Sequence, residues 1–515
     1  MVRFLSTRRV FVAVLLLGLF VMTARAVDDP DFWWHLRTGE YIVQTHSIPH
    51  HDIYSFTNPG APWIAHEWLS EVIFYSVYRG LGWGGLIVLF GIVIGGAFAL
   101  AYFRSQGRPY IAGLAILLGA VATYPTWGVR PQMISLLFTS IFLFVLLGKN
   151  GEARPPTRPS WWLVPLMLLW ANLHAGYAVG LALILAVLAG TLLERALGVL
   201  PKEEARREVR HLALLFVACT AVALLNPNGI HLLSYPIETL RSHAQQTYIS
   251  EWASPDFHQG RFQPFLAMLF LTFIAMAVSG KRQRPRDLLL LAATAYAGMR
   301  SIRHIPIFAL VAAPILAEHV HAIVKDRTWA AWVDAPDREP GAQKAAMNLI
   351  VVMAVLTFAL LHVAILVKRQ PSTEAEKYPE AAVTYVRQQR LAAPIFNYYD
   401  WGGYFIWKLY PTYRVYIDGR ADVYGDKFLD SFADLYRAQG DWRTSLEKYA
   451  VQTVVLPPKT GLATALRHEP GWSNVFEDKQ AAIFIRQGSG GAGREHVSVS
   501  PTGQSQRPSV SEIGH

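Results

Sequence analysis

Apolar positions fall into long runs, broken by short polar stretches. A helix that crosses a bilayer needs about 20 mostly apolar residues. On that criterion about eleven spans are predicted, at 10–27, 82–103, 109–125, 131–148, 161–172, 176–194, 210–226, 263–279, 286–300, 304–324 and 346–367. Segment 161–172 is too short to cross without tilt, and "WANLHAG" separates it from 176–194. Irregular backbone at that depth must be buried in protein or face water.

The polar loops divide into two sets. Residues 1–9, 104–108, 149–160, 195–211, 280–287 and 325–344 hold 21 Lys and Arg. The alternate loops 28–80, 126–130, 172–176, 226–262 and 300–304 hold 7. Basic loops stay in the cytoplasm, so the N-terminus is expected inside and the sparsely charged loops outside. An odd number of spans then puts the C-terminal residues outside as well. Arg8, Arg9, the apolar run and Ala24-Arg25-Ala26 also read as a secretory signal with its cleavage site. An uncleaved first helix is the preferred reading, and both readings put Asp28 onward outside the cytoplasm.

After Val367 the pattern changes to short apolar stretches among charges and turns. "PIFN", "RVYID", "TVVLP" and "AAIFIR" read as strands, and 379–390, 426–438, 442–449 and 461–468 as helices. The expected organisation is a membrane domain at 1–368 that includes outer loop 28–80, and a small extracytoplasmic α/β domain at 370–487. Residues 488–515, rich in Gly, Ser, Pro and Gln, read as a disordered tail.

Composition agrees with a membrane protein. The 515 residues are 52% hydrophobic and 16% charged, against roughly 25% charged in soluble domains. The net charge of +10 is spread over short loops and forms no nucleic-acid patch. The single cysteine, Cys219, allows no disulfide framework and no cysteine zinc site.

The unusual chemistry lies in the outer loops. "DDPDFWWHLRTGEY" follows the first span. Helical spacing puts Phe32, Leu36 and Val43 on one face and Asp31, His35 and Thr38 on the next. Trp33 and Trp34 are expected as headgroup-level anchors, and Asp28 and Asp29 as a helix cap and an exposed charge. "HEWLS" lacks the second histidine of H-E-x-x-H, since Ser70 stands there. Glu67 and Glu71 lie one turn apart. Arg130, Arg300 and Arg303, with His304, run against the inside-positive trend, and an anionic group such as a lipid phosphate would explain them. Glu251 and Asp256 add outer carboxylates. "IDGRADVYGD" reads as a salt-bridged turn after a strand. No phosphate loop of the G-x-G-x-x-G or Walker type is present.

These pieces resemble the GT-C superfamily of membrane glycosyltransferases. The register Asp31-Phe32-Trp33-Trp34-His35-Leu36-Arg37 is similar to the first-loop motif of the oligosaccharyltransferase catalytic subunit. "DPDFWWHLRTGE", "HEWLSE", "WANLHAG", "LNPNG", "EWASPDF", "YDWGGYFIWKLYP" and "VYIDGRADVYG" resemble a bacterial group of GT-C-like proteins from about residue 28 to 486. The resemblance implies an α-helical polytopic fold in a bacterial inner membrane. It also implies sugar transfer from a polyprenyl-phosphate-linked donor on the extracytoplasmic side, with membrane lipids as further partners. By that likeness Asp31 is the catalytic or metal-binding acid, and Asp29 is the alternative register. His35 orients Asp31 or binds sugar. Arg37, Arg130, Arg300, Arg303, His304, Trp33, Trp34 and Glu67 are candidates for donor and phosphate binding. A divalent metal would use Glu251 and Asp31. Oligosaccharyltransferases place a second acidic pair in a later outer loop, but residues 126–130 contain no acid. A metal-independent single aspartate, as in protein O-mannosyltransferases, is therefore the alternative. The competing functions are a flippase or transporter of lipid-linked saccharide and a non-catalytic envelope scaffold.

Overall fold

The computed structural model describes residues 5–105, 109–148, 158–330 and 339–488. The tail, beyond Gly488, and parts of the basic loops lie outside the described residues. The chain forms two compact units. Unit 1 takes in the chain up to Ile53, Asn58–Lys377 and Gly419–Asp430; unit 2 takes in Tyr54–Thr57, Tyr378–Asp418 and the chain from Ser431. Segment 419–430, read from sequence as part of the last domain, thus packs within unit 1.

Unit 1 is helical. Its elements are α1 (Thr7–Thr23), α2 (Phe32–Thr45), α3 (Trp68–Arg104), α4 (Pro109–Thr123), α5 (Pro131–Leu147), α6 (Leu163–Leu173), α7 (Tyr177–Ala196), α8 (Lys202–Ala223), α9 (His231–Arg241), α10 (His243–Tyr248), α11 (Gln263–Val278), α12 (Pro285–Arg300), α13 (Ile305–Val324) and α14 (Ala342–Lys377). Each expected span falls on one of these helices. Among the described residues, six are long and apolar enough to cross a membrane: Trp68–Arg104, Pro109–Thr126, Tyr177–Ala196, Gly260–Val278, Ile302–Val324 and Ala342–Lys377. That is fewer than the eleven expected. The other five are short, or, like α8, begin with a charged turn (Lys202, Glu203, Glu204).

Packing follows from small residues and from hydroxyls that bond carbonyls. Thr23 Oγ1 donates to Gly91 O across the α1–α3 contact (2.9 Å). A side chain at Gly91 would crowd Phe20. α13 is the core helix, buried along most of its length, whereas the apolar residues Ile350, Phe358, Leu360 and Leu361 of α14 are exposed. At the end away from the candidate site Arg286 is buried between Glu194 (2.9 Å) and Glu208 (2.8 Å).

α3 contains a break at Gly82 (φ 61°, ψ −156°), a left-handed position that costs glycine least. The stretch before it, opened by "HEWLSE", packs on α2. The contact is close enough that a Cβ at Gly39 would overlap the Glu71 carbonyl. Gly39→Val is therefore expected to destabilise the fold by about 1–3 kcal/mol, the usual cost of overpacking. Thermal unfolding of the detergent-purified protein checks this, and an unchanged midpoint would contradict the α2–α3 packing.

This packing corrects one expectation. Trp33 and Trp34 are not headgroup anchors: they are 0% and 7% exposed. Trp33 packs edge-on against Trp83 (5.8 Å between centroids), and Trp34 lies against His35 and Trp63. The first turn of their helix, from Phe32 to Leu36, is buried in protein.

Unit 2 is a small mixed sheet with helices. α15 (Glu380–Gln389), β1 (Ile395–Asn397), α16 (Gly402–Leu409), α17 (Ala421–Tyr424, in unit 1), α18 (Asp426–Tyr436), α19 (Trp442–Lys448), β2 (Thr453–Leu456), α20 (Gly461–His468), β3 (Trp472–Glu477) and β4 (Ala482–Arg486) follow in order. The sheet order is β1-β2-β4-β3; β1 and β2 are parallel and the other two pairings antiparallel. "RVYID" is not a strand. Val415 makes only an isolated bridge to Ser55, and a side chain serves the next two residues: Asn397 Oδ1 accepts from Tyr416 N, and Asn397 Nδ2 donates to Ile417 O (both 2.8 Å). The fourth strand is β3 instead, which the sequence reading missed.

Candidate functional site

The loops expected on one side of the membrane do meet at one end of unit 1. Asp29 and Asp31 lie on the link between α1 and α2. Asp31 precedes α2 without using its carboxylate as a cap, so that group is available for other partners. Its Oδ1 accepts from Trp34 Nε1 (3.2 Å), while Asp29 Oδ1 accepts from Asp31 N (3.0 Å).

From Asp29 a chain of alternating charge crosses three further loops. Arg130, before α5, lies 3.4 Å from Asp29 and forms an ion pair with Glu251. The other oxygen of Glu251 accepts from Arg303 Nη2 (2.9 Å) and Nε (3.2 Å). Arg303 also stacks over Trp252, 4.6 Å from its centroid. Burial raises the Asp29 carboxyl despite Arg130. Burial and the neighbouring Asp29 charge push Asp31 up to about 7. Burial acts the same way on Glu251, but Arg130 and Arg303 outweigh it and hold Glu251 down at about 2.

A second cluster begins one turn along α2. His35 Nε2 is 3.2 Å from Glu67 Oε2, and His35 Nδ1 is 3.2 Å from Glu71 Oε1. Glu67 Oε1 also faces His66 Nε2 (3.0 Å) and His174 Nε2 (3.4 Å). His174 sits in the break between α6 and α7. Burial disfavours a charged His35 and His66, yet the facing carboxylates, Glu67 first, raise both above the ordinary histidine value. Glu67 moves the opposite way: burial is outweighed by His66 and His35, and it falls below the usual carboxylate range. Burial drives His174 down to about 3, which leaves it neutral.

Segment 419–430 completes this end of unit 1. Gly419 lies so close to Asp31 that a Cβ there would overlap its Oδ1. Arg420 Nη2 reaches Asp52 Oδ1 (2.7 Å), both side chains almost fully buried, and its guanidinium stacks on Trp63 (4.5 Å). Asp422 is exposed, and His66 is the largest opposite charge acting on it.

Asp29, Asp31, His35, Glu67, Arg130, Glu251 and Arg303 are thus brought together. His304 is adjacent, its ring 6.1 Å from Trp252. Arg300 is not part of the group; it is exposed and donates to Gln246 (3.3 Å). Arg37 is held by Glu40 on its own helix. The expected metal pair of Glu251 and Asp31 does not fit an ion, because both Glu251 oxygens are taken by guanidinium groups. The groups with ligand-like spacing are instead His66, Glu67 and His174, and His35, Glu67 and Glu71. His66, His174, Glu71, Arg420 and Asp422 were missed as site residues. Each does sit inside a stretch already singled out, namely "HEWLSE", "WANLHAG" and "VYIDGRADVYG".

No family model matches the chain, and no curated protein does. Solved structures do. The archaeal oligosaccharyltransferase AglB from Archaeoglobus fulgidus, in complex with an inhibitory peptide and a dolichol-phosphate, is similar with a TM-score of 0.53 and 12% identity, over 92% of this chain and 74% of that one. ArnT from Cupriavidus metallidurans, bound to undecaprenyl phosphate, is similar with a TM-score of 0.51 and 16% identity, over 94% of this chain and 98% of that one. Along most of its length, therefore, the chain shares the fold of these two proteins.

Proposed function

We propose that this chain transfers a sugar from a polyprenyl-phosphate-linked donor to an acceptor on the extracytoplasmic side of the membrane. The observation that carries the reading is Asp31: a half-buried carboxylate with a pKa raised to about 7, beside the alternating charges of Asp29, Arg130, Glu251 and Arg303. The fold supports it, because the two similar structures carry a dolichol-phosphate and undecaprenyl phosphate. The charge bias of the loops supports the orientation.

In this reading Asp31 takes the proton from the acceptor as its oxygen attacks the sugar carbon. A base works best when its pKa lies near the ambient pH. The sugar–phosphate bond breaks, and the lipid phosphate leaves with the electron pair. Arg130 and Arg303 stabilise that charge. They are already neutralised by Glu251, so the phosphate must share or displace that carboxylate. No step runs through a metal ion.

Two outcomes follow. The base is competent only when ionised, so transfer should rise with pH through about 7 and fall away below it. Asp29→Asn removes the neighbouring negative charge that helps to raise Asp31, so the acid limb should move to lower pH. Initial rates of radiolabelled sugar transfer in isolated membranes, across pH 5–9, check both; a flat profile would remove Asp31 as the base. Arg303→Met should raise the KM for lipid-linked donor by about 10-fold or more, as loss of one charge-assisted phosphate contact does. An unchanged KM with Arg303→Met would assign Arg303 to holding Glu251 alone.

A further inference from the structure

We propose that His66, Glu67 and His174 form a binding site for a divalent transition-metal ion of the zinc class, separate from the Asp29–Asp31 pair. Two imidazoles and one carboxylate are the donor set of open zinc sites. The spacing agrees. Ligand atoms held at about 2.0–2.2 Å around a tetrahedral ion stand roughly 3.3–3.5 Å from one another. Here both imidazole Nε2 atoms face Glu67 Oε1, at 3.0 and 3.4 Å, and all three donors lie within 4.8 Å of each other.

The chain supplies the second histidine in an unusual way. Ser70 occupies the place where H-E-x-x-H carries it. Its hydroxyl donates to Leu173 O (2.6 Å), which pins the loop that brings His174 to Glu67. The position vacated in sequence is filled in space.

The surroundings suit ligation. A metal-bound imidazole usually donates its other N–H to a carbonyl or carboxylate. His66 Nδ1 lies 3.1 Å from Ile64 O, which leaves Nε2 for an ion. Glu67 Oε2 faces His35, which is itself held by Glu71. His174 Nδ1 receives Gly176 N–H (2.9 Å) and lies 2.7 Å from Ser135 Oγ. Ligation at Nε2 moves the ring proton to Nδ1. Ser135 Oγ is placed to accept it, and the Gly176 bond is lost.

An unsatisfied polar atom points the same way. Glu67 and Glu71 are buried here, and the nearby Arg420 already faces Asp52. Glu71 Oε2 is fully buried and has no hydrogen-bond partner among the described residues. A buried carboxylate oxygen without a partner calls for a further donor or cation in this cluster.

The test uses the full chain, purified in detergent, stripped with chelator and titrated with Co2+. One Co2+ per chain is expected, with intense visible d–d bands that Zn2+ abolishes. Glu67→Gln and His174→Gln should each weaken binding by about 10–100-fold or more. Asp31→Asn and Glu251→Gln should leave it unchanged, which separates this site from the proposed transfer chemistry. If Glu67→Gln does not fold, His174→Gln carries the same readout. Failure to bind Co2+ would overturn the proposal, as would equal binding by wild type and His174→Gln.

Discussion

Asp31→Asn lowers sugar transfer by about 10²–10⁴-fold, the range attributed to a general base, and leaves the fold intact. The reasoning is local. Asparagine keeps the shape of aspartate and an oxygen that can accept from Trp34 Nε1, as Asp31 Oδ1 does at 3.2 Å. It removes the one property a base needs, a lone pair that binds a proton near neutral pH. It also relieves a half-buried pair of like carboxylates, since Asp29 is the second-largest cause of the raised Asp31 pKa. The variant should therefore melt at or above the wild-type temperature. A loss of activity with a normal melting curve cannot then be ascribed to misfolding. The measurement is transfer of labelled sugar from a polyprenyl-phosphate donor by reconstituted protein. Near-normal transfer would end the assignment of Asp31. Movement of lipid-linked sugar across the bilayer without transfer, equal in wild type and variant, would replace the transferase reading with a flippase.

The helices were legible because apolar runs carry their own signal, and each expected span coincides with one of α1, α3–α8 and α11–α14. The helical face of α2 was legible for the same reason: Asp31 and His35 do lie on one side, and His35 N donates to Asp31 O (3.3 Å). What one segment packs against is not carried in its periodicity. Two adjacent tryptophans after a span look alike whether they meet headgroups or Trp83 and Trp63. Glu251 and Arg303 are 52 residues apart, and Glu251 and Arg130 lie 121 apart (251 − 130). The sequence alone therefore suggests arginines waiting for an anionic ligand, where the structure pairs Arg130 and Arg303 with Glu251. "HEWLS" was set aside because its second histidine is missing locally, yet His174 arrives from another loop. Such pairings depend on helix order and loop closure, which no window along the chain reports.

Arg420→Met destabilises the protein by about 3–5 kcal/mol, the cost of leaving a buried charge without its partner. Asp52 and Arg420 are 0% and 1% exposed, with 2.7 Å between Oδ1 and Nη2. Asp52 is also tied into its own loop, where its N–H donates to Ala61 O (2.8 Å) and its carbonyl accepts from Gly60 N (3.1 Å). Methionine would fill much of the space and keep contact with Trp63, so the loss reports the charge. The double variant Asp52→Leu, Arg420→Met should recover part of the stability, because it removes both buried charges together. Thermal and denaturant unfolding of the purified chain measure both. If Arg420→Met melts with the wild type, the pair is not desolvated as the structure has it. The same substitution should also reduce transfer, even where the protein remains folded. Arg420 holds its neighbour Gly419 against Asp31, at a distance that admits no side chain. A loosened Gly419 opens Asp31 to water. Water lowers the pKa that burial raised, and with it the driving force for taking a proton from the acceptor. The double variant should therefore regain part of the stability without regaining full activity, which separates the two roles of this ion pair.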